Sequence, residues 1–269
     1  HSFPTRRSSD LIGNPPRAGR RIFRRHHGIA AMSSRTGAPL VANRLLAGLP
    51  ITDRERCLAQ CDEVELVDSV VLCERGDRIE HAYFPIASCI SLITPIDHQA
   101  GFEVGMIGME GMHGVSLALG VDIAPQRALV QGAGLSLRMD TATFRRELGR
   151  CAPLRRLLNR YLYVLMSQMA QAGACTRFHL LEARVARWLL MTHDRVVGDA
   201  FHLTQEFLGY MLGMRRVGIT QAAGALQDRR LISYSRGAVT VLDRAGLEAA
   251  ACACYRIDRD AYTSMLGCE

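Results

Sequence analysis

Two glycines, Gly209 and Gly213, constrain this chain more than any other feature. Counting from Gln205, a small residue stands fifth and a glycine ninth. Leu208, Leu212, Met214, Ile219 and Ala222 fill the fourth, eighth, tenth, fifteenth and eighteenth places. Gly209 leaves room for a second helix to approach, and Gly213 supplies the backbone freedom for a tight turn between the two helices. The five apolar side chains then form a wedge between crossing helices. All seven positions agree, so residues 205–224 are predicted to form a helix-turn-helix.

The second helix, residues 215–228, has two different faces. With Ile219 turned inward, Ala222, Ala223 and Leu226 share its side at about 100° per residue. The other side presents Val217, Gln221 and Gly224, flanked by Arg216 and Thr220, with Arg215 at the helix start. Gln pairs bidentately with adenine, Arg with guanine, and Val packs on a thymine methyl in the major groove. Thr204 and Gln205 open the preceding helix, where free backbone N–H groups suit phosphate. Residues 231–235 and 238–242 flank Arg236-Gly237 and read as a two-stranded wing. The candidate DNA contacts are therefore Thr204, Gln205, Arg215, Arg216, Val217, Thr220, Gln221 and Arg236. A winged helix that binds protein instead is the plainer alternative.

The formal charge of +7 does not mark the whole molecule as basic. Taking the eight Arg and one Asp of residues 1–40 from totals of 33 and 26 leaves 25 of each sign. A DNA surface must then be a local patch. Five Arg (215, 216, 229, 230 and 236) against Asp228 between Gly213 and Gly237 supply one. Every cationic residue is Arg and none is Lys, which reads as coding bias. Residues 1–40 are expected to be a disordered or non-native tail. Their first eleven resemble translated adapter sequence, and Met32 reads as a start. Nine Cys without a CxxC pair point to reduced thiols and a cytoplasmic setting. No apolar run approaches a membrane span, so no membrane partner is expected.

Residues 41–61 read as short helices, the second capped by Thr52 or Asp53. Residues 64–139 change to short β-type runs with recurrent turn signals, favouring an antiparallel sandwich or barrel. A long helix follows Pro153, with Leu154, Leu158, Tyr161, Leu165 and Met169 near heptad spacing and Leu157 and Leu162 beside them. A helix apolar on more than one side needs two partners, so a self-paired coiled coil is predicted, with Leu158 and Leu165 on its seam. A second helix covers residues 180–194, and residues 243–266 read as one terminal helix opened by Asp243.

Taken in order, the sandwich, the long helix and the winged helix carrying LTQEFLGYMLGMRR resemble the Crp/Fnr family of bacterial transcription regulators. The resemblance spans about residues 41–245 and is strongest over 203–242. It implies an α+β fold: a cyclic-nucleotide-binding-like β-roll (jelly roll) over residues 41–150, a dimerisation helix over 151–175, a winged helix-turn-helix over 176–245 and a C-terminal helix over 246–269. It also implies a homodimer, double-stranded DNA as partner, RNA polymerase as a further partner, and no enzymatic activity. By position Arg216, Val217 and Gln221 fall where the family reads bases, and Val217 stands where the best-known members carry a glutamate.

The sensor half departs further. In the stretch GMEGMHGVSLALGVDIAPQRALV, Arg127 matches the family's phosphate-binding Arg, but Ala128 follows without a hydroxyl. Glu110 precedes Gly111 instead of following it, with Met112 and His113 next. Glu110, His113 and Arg127 are the effector-pocket candidates, with no cofactor expected and cyclic AMP or GMP disfavoured. Cys57, Cys61 and Cys73 match no usual iron–sulfur spacing and read as ordinary thiols. Cys252 and Cys254 read as terminal-helix residues without a metal role. His81, His98 and His113 are the ligands that a cupin-like metal-dependent enzyme, the alternative of a different class, would need. A dimeric scaffold that neither senses nor binds DNA is the third reading.

Overall fold

The computed structural model describes residues 43–96, 100–196 and 198–267. Residues 1–40, Met32, His98 and Cys268 lie outside the described residues. Two short helices open the described chain, α1 (Arg44–Ala47) and α2 (Ile51–Leu58). Asn43 anchors the first: Oδ1 accepts from the Leu46 amide while Nδ2 donates to the carbonyls of Pro85 and Gly111. Helix α2 starts directly after Pro50 without a side-chain cap, so Thr52 and Asp53 lie inside its first turn instead of capping it.

Seven strands follow: β1 (Asp62–Leu66), β2 (Val71–Cys73), β3 (His81–Pro85), β4 (Cys89–Ile96), β5 (Ala100–Ile107), β6 (Arg127–Gly132) and β7 (Gly134–Asp140). They form two antiparallel sheets, ordered β1-β7-β3 and β2-β6-β4-β5. Side chains alternate across a strand. Ile90 and Leu92 of β4, Ile107 of β5, and Ala128 and Val130 of β6 accordingly fill the core between the sheets. The intervening Cys89, Ile93, Met106 and Leu129 point the other way, yet they are buried in a second core. Both faces of the four-stranded sheet are covered, as expected where a strand reads as a continuous apolar run.

Helix α3 (Thr141–Arg150) is capped by Asp140, and α4 (Ala152–Phe178) is the long helix. Leu154, Leu158, Tyr161 and Leu165 of α4 pack into the roll core of their own chain. The predicted seam of Leu158 and Leu165 is therefore intramolecular: the roll needs that stripe to close its core. Tyr163 and Met166, 61% and 69% exposed, lie on the free side.

After α5 (Leu181–His193) come β8 (Ala200–His202), α6 (Gln205–Leu212), α7 (Arg216–Asp228), β9 (Ile232–Ser235) and β10 (Ala238–Val241). The sheet order β8-β10-β9 gives the wing a third strand that the predicted two-stranded hairpin lacked. The predicted single terminal helix is two, α8 (Arg244–Ala250) and α9 (Cys254–Leu266), broken at residues 251–253. Asp243 does open the first, accepting from the Gly246 amide at 2.9 Å. Among the described residues no helix is long and apolar enough to cross a membrane.

Candidate nucleic-acid interface

The turn between α6 and α7 is built as its glycines require. Gly213 ends α6 in the left-handed region, φ 63°, which costs a side-chain-bearing residue but not glycine. A Cβ on Gly209 would stand 2.9 Å from the Met214 carbonyl oxygen, so only glycine lets the turn pass so close to α6. The Met214 amide donates to the Gly209 carbonyl at 2.8 Å and closes the turn. Leu208, Ile219 and Ala222 are buried in the wedge, joined by Met211. Met214, 39% exposed, stands outside it: its backbone, not its side chain, faces Gly209.

Helix α7 buries Ile219, Ala222, Ala223 and Leu226 and turns Arg216, Val217, Thr220 and Gln221 to solvent, with Val217 69% exposed. Thr204 caps α6, its hydroxyl accepting from the Phe207 amide at 3.1 Å. The Thr220 hydroxyl lies 2.6 Å from Gln205 Oε1 and 3.0 Å from the Arg216 carbonyl, joining the two helices on their exposed side. No side chain caps the start of α7, which leaves its first N–H groups available to an anion. In the wing, Arg236 and Gly237 both adopt positive φ, 51° and 81°, the signature of a two-residue type I′ hairpin. That turn holds Arg236 exposed at the tip.

The arginines of this half divide into two kinds. Arg215, Arg216, Arg230 and Arg236 are exposed and make no ion pair among the described residues. Arg229, counted in the predicted patch, instead pairs with Glu182 of α5 at 2.9 Å and adds little net field.

Each of the three effector-pocket candidates is engaged by a partner from elsewhere in the chain. Glu110 is buried and paired with Arg195, just beyond α5, whose Nε donates to Glu110 Oε1 at 2.8 Å. His113 lies in the roll with Nε2 3.6 Å from Cys73 Sγ, and burial pushes its imidazole down to about 4, so it is neutral near pH 7. Arg127 donates through Nε to Glu74 at 2.7 Å and through Nη1 to the Tyr210 hydroxyl of α6 at 3.3 Å. Two of the three thus tie the roll to the winged helix.

A polar seam also joins these two halves. Glu103 of β5 accepts from Trp188 Nε1 of α5 at 3.0 Å and from the Ser91 hydroxyl at 2.7 Å. Loss of hydration between strand and helix outweighs those bonds and raises the carboxyl to about 7. Gln131 of β6 donates to Thr192 of α5 at 3.0 Å. No local pattern could reveal these pairs, because their members lie about 60 to 85 residues apart.

The described candidate metal ligands of the roll have near neighbours of their own. Cys61 Sγ donates to the Cys57 carbonyl, and Cys73 lies against His113. Burial raises the thiols of Cys57 and Cys73 to about 11 and that of Cys61 to about 12, so all three carry their protons. Among the described residues His81 and His113 join no set of three potential ligands.

Residues 183–250 match the family of Crp-like helix-turn-helix domains. Among solved structures, FixK2 from Bradyrhizobium japonicum superposes with a TM-score of 0.61 at 12% identity, covering 71% of this chain and 98% of its own. A Crp/Fnr-family transcriptional regulator from Eubacterium rectale gives 0.59 at 17% identity, covering 77% and 96%. A CRP-family regulator from Thermus thermophilus gives 0.57 at 17%, covering 70% and 95%. No curated protein matches the sequence. The chain's roll, long helix and winged helix, in this order, resemble those structures in fold. Residues 183–250 are thus a Crp-like helix-turn-helix domain, and the chain as a whole shares the fold of these solved structures.

Proposed function

We propose that this chain is a homodimeric, sequence-specific DNA-binding transcription regulator that acts in the cytoplasm, without enzymatic activity and with RNA polymerase as a further partner. The observation that carries the reading is the outward face of α7. Arg216, Val217, Thr220 and Gln221 are exposed together on a helix fixed from behind by Ile219, Ala222 and Leu226. The dimer rests on the free side of α4. Asn159, Tyr163, Met166, Ala170 and Gly173 are exposed at alternating four- and three-residue spacing, a coiled-coil seam whose small residues let a second copy approach. Two such copies would set the α7 helices about 34 Å apart, in successive major grooves.

Selection from random duplexes at physiological salt tests the reading. The full chain should enrich a near-palindromic site, and equal affinity for every duplex would sink it. Tyr163→Asp with Met166→Asp should give folded monomers by sedimentation with weakened site binding. An unchanged dimer mass would move the seam elsewhere.

The roll binds no cyclic nucleotide at Arg127 in this reading. Its guanidinium already serves Glu74 and Tyr210, and Ala128 offers no hydroxyl. Calorimetry should find cyclic AMP and cyclic GMP no tighter than about 1 mM, roughly 4 kcal/mol. A micromolar constant abolished by Arg127→Ala would overturn this part.

A further inference from the structure

Four metal-binding side chains meet at the joint between α4 and α5, away from both the recognition face and the roll. Cys175 lies in the last turn of α4, and His179 follows one turn later on the same side, immediately after the helix ends. Helix α9 runs back along α4: Tyr262 pairs with Gln168 and Cys254 with Gln171, so later residues of one meet earlier residues of the other. That packing delivers Cys252, from the break between α8 and α9, and Cys254, the first residue of α9, to the same point. The Cys252 amide also donates to the Ala183 carbonyl of α5.

The distances suit a single ion. Cys175 Sγ and Cys252 Sγ are 3.5 Å apart, and Cys254 Sγ is 3.4 Å from His179 Nδ1. All four potential ligand atoms lie within 4.8 Å of one another. A tetrahedral Zn2+, with bonds of about 2.3 Å to sulfur and about 2.0 Å to nitrogen, spaces its ligand atoms roughly 3.5–3.8 Å apart. The set is too tight for an iron–sulfur cluster, which spreads its thiolates over separate irons. Three thiolates and one imidazole form an established structural zinc set, and soft sulfur ligands in tetrahedral array select zinc over the hard cations. Gln171 Nε2 donates to Cys254 Sγ at 2.9 Å, the outer hydrogen bond that orients a ligating sulfur.

We infer that Cys175, His179, Cys252 and Cys254 bind one Zn2+ ion, which staples the C-terminal helix pair to the joint between the long helix and the winged-helix domain. The site departs from the sequence reading of Cys252 and Cys254 because the pairs Cys175-x3-His179 and Cys252-x-Cys254 are each too short to suggest a metal alone. Only the return of α9 along α4 joins them.

The test uses the full chain, purified under reductant, stripped with chelator and titrated with Co2+. The wild type should develop the visible bands of tetrahedral cobalt with thiolate-to-cobalt charge transfer, saturate at one ion per chain and bleach when Zn2+ is added. Cys254→Ser and His179→Ala should each lose that spectrum, while Cys57→Ser should keep it. Because serine at buried Cys252 can unfold the chain, thiol counting on the wild type serves as an independent readout: Zn2+ should protect three cysteines from alkylation. A reduced wild type that binds no cobalt, a spectrum that survives in Cys254→Ser, or a Cys175–Cys252 disulfide in place of metal would each overturn the site. DNA selection on the same preparations is a separate measurement, so failure here leaves the regulator reading standing.

Discussion

Arginine does opposite work in the two halves of this molecule. On the winged helix, Arg215, Arg216 and Arg236 stand in solvent without carboxylate partners among the described residues. In the roll and its seam, Arg127 and Arg195 are held by Glu74, Tyr210 and Glu110. An exposed unpaired guanidinium keeps its charge for phosphate, whereas a buried one is committed to the fold. The difference teaches that basic residues announce a site only when their partners have been counted.

The largest expected effect tests the committed kind. Glu110→Leu leaves Arg195 buried and uncompensated and should cost about 3–5 kcal/mol of stability, read from urea unfolding. Adding Arg195→Leu should recover much of that loss. A single variant as stable as wild type would show that the pair is not closed in solution. Next, Gln221→Ala on the exposed face should relax preference at one base position by about 1–3 kcal/mol without changing the unfolding midpoint. A uniform loss over all sequences would reassign Gln221 to the backbone.

Smaller effects follow from pH. Glu103 takes up its proton more readily folded than unfolded, about 7 against the ordinary 4.5, so its share of stability is full below pH 4.5 and is lost as pH rises to about 7. His113 is the reverse. Lowered from 6.5 to about 4, it contributes stability above pH 6.5 that is lost as pH falls to about 4. The two slopes oppose each other in the shared window. Glu103→Gln should leave a stability that climbs with pH there, and His113→Asn one that falls. Parallel curves for the two variants would discard both assignments. The smallest effect belongs to the wing tip: Arg236→Ala should weaken all duplexes alike and lower the salt slope by about 1.

What could be read in the sequence was what depends on near neighbours. The spacing of Gly209 and Gly213, the Arg236-Gly237 turn and the outward face of α7 are local, and the structure has all three. Heptad spacing alone does not say which stripe of α4 is free, because two stripes of that helix share it. Leu158 and Leu165 are the more apolar stripe and are consumed by the roll, leaving Tyr163, Met166 and Ala170 outside. Hydrophobicity ranks stripes but does not say which neighbour claims each one. Glu110, His113 and Arg127 form a group in the sequence because they share one stretch of chain. Packing instead pairs them with residues 85, 40 and 53 positions away.

The double-sided burial of the β2-β6-β4-β5 sheet has a consequence for motion. Cys89, Ile93, Met106 and Leu129 form a floor that shares one core with Trp188 and Leu189 of α5. Any swing of the winged helix off the roll would wet that floor, at roughly 25 cal/mol for each Å2 of apolar area uncovered. An effector that reorients the DNA-binding half must offset that cost through its own preference for the open arrangement. For the same reason the roll and the winged helix should melt as one cooperative unit, and a roll cut away from its partner would carry an adhesive face prone to self-association.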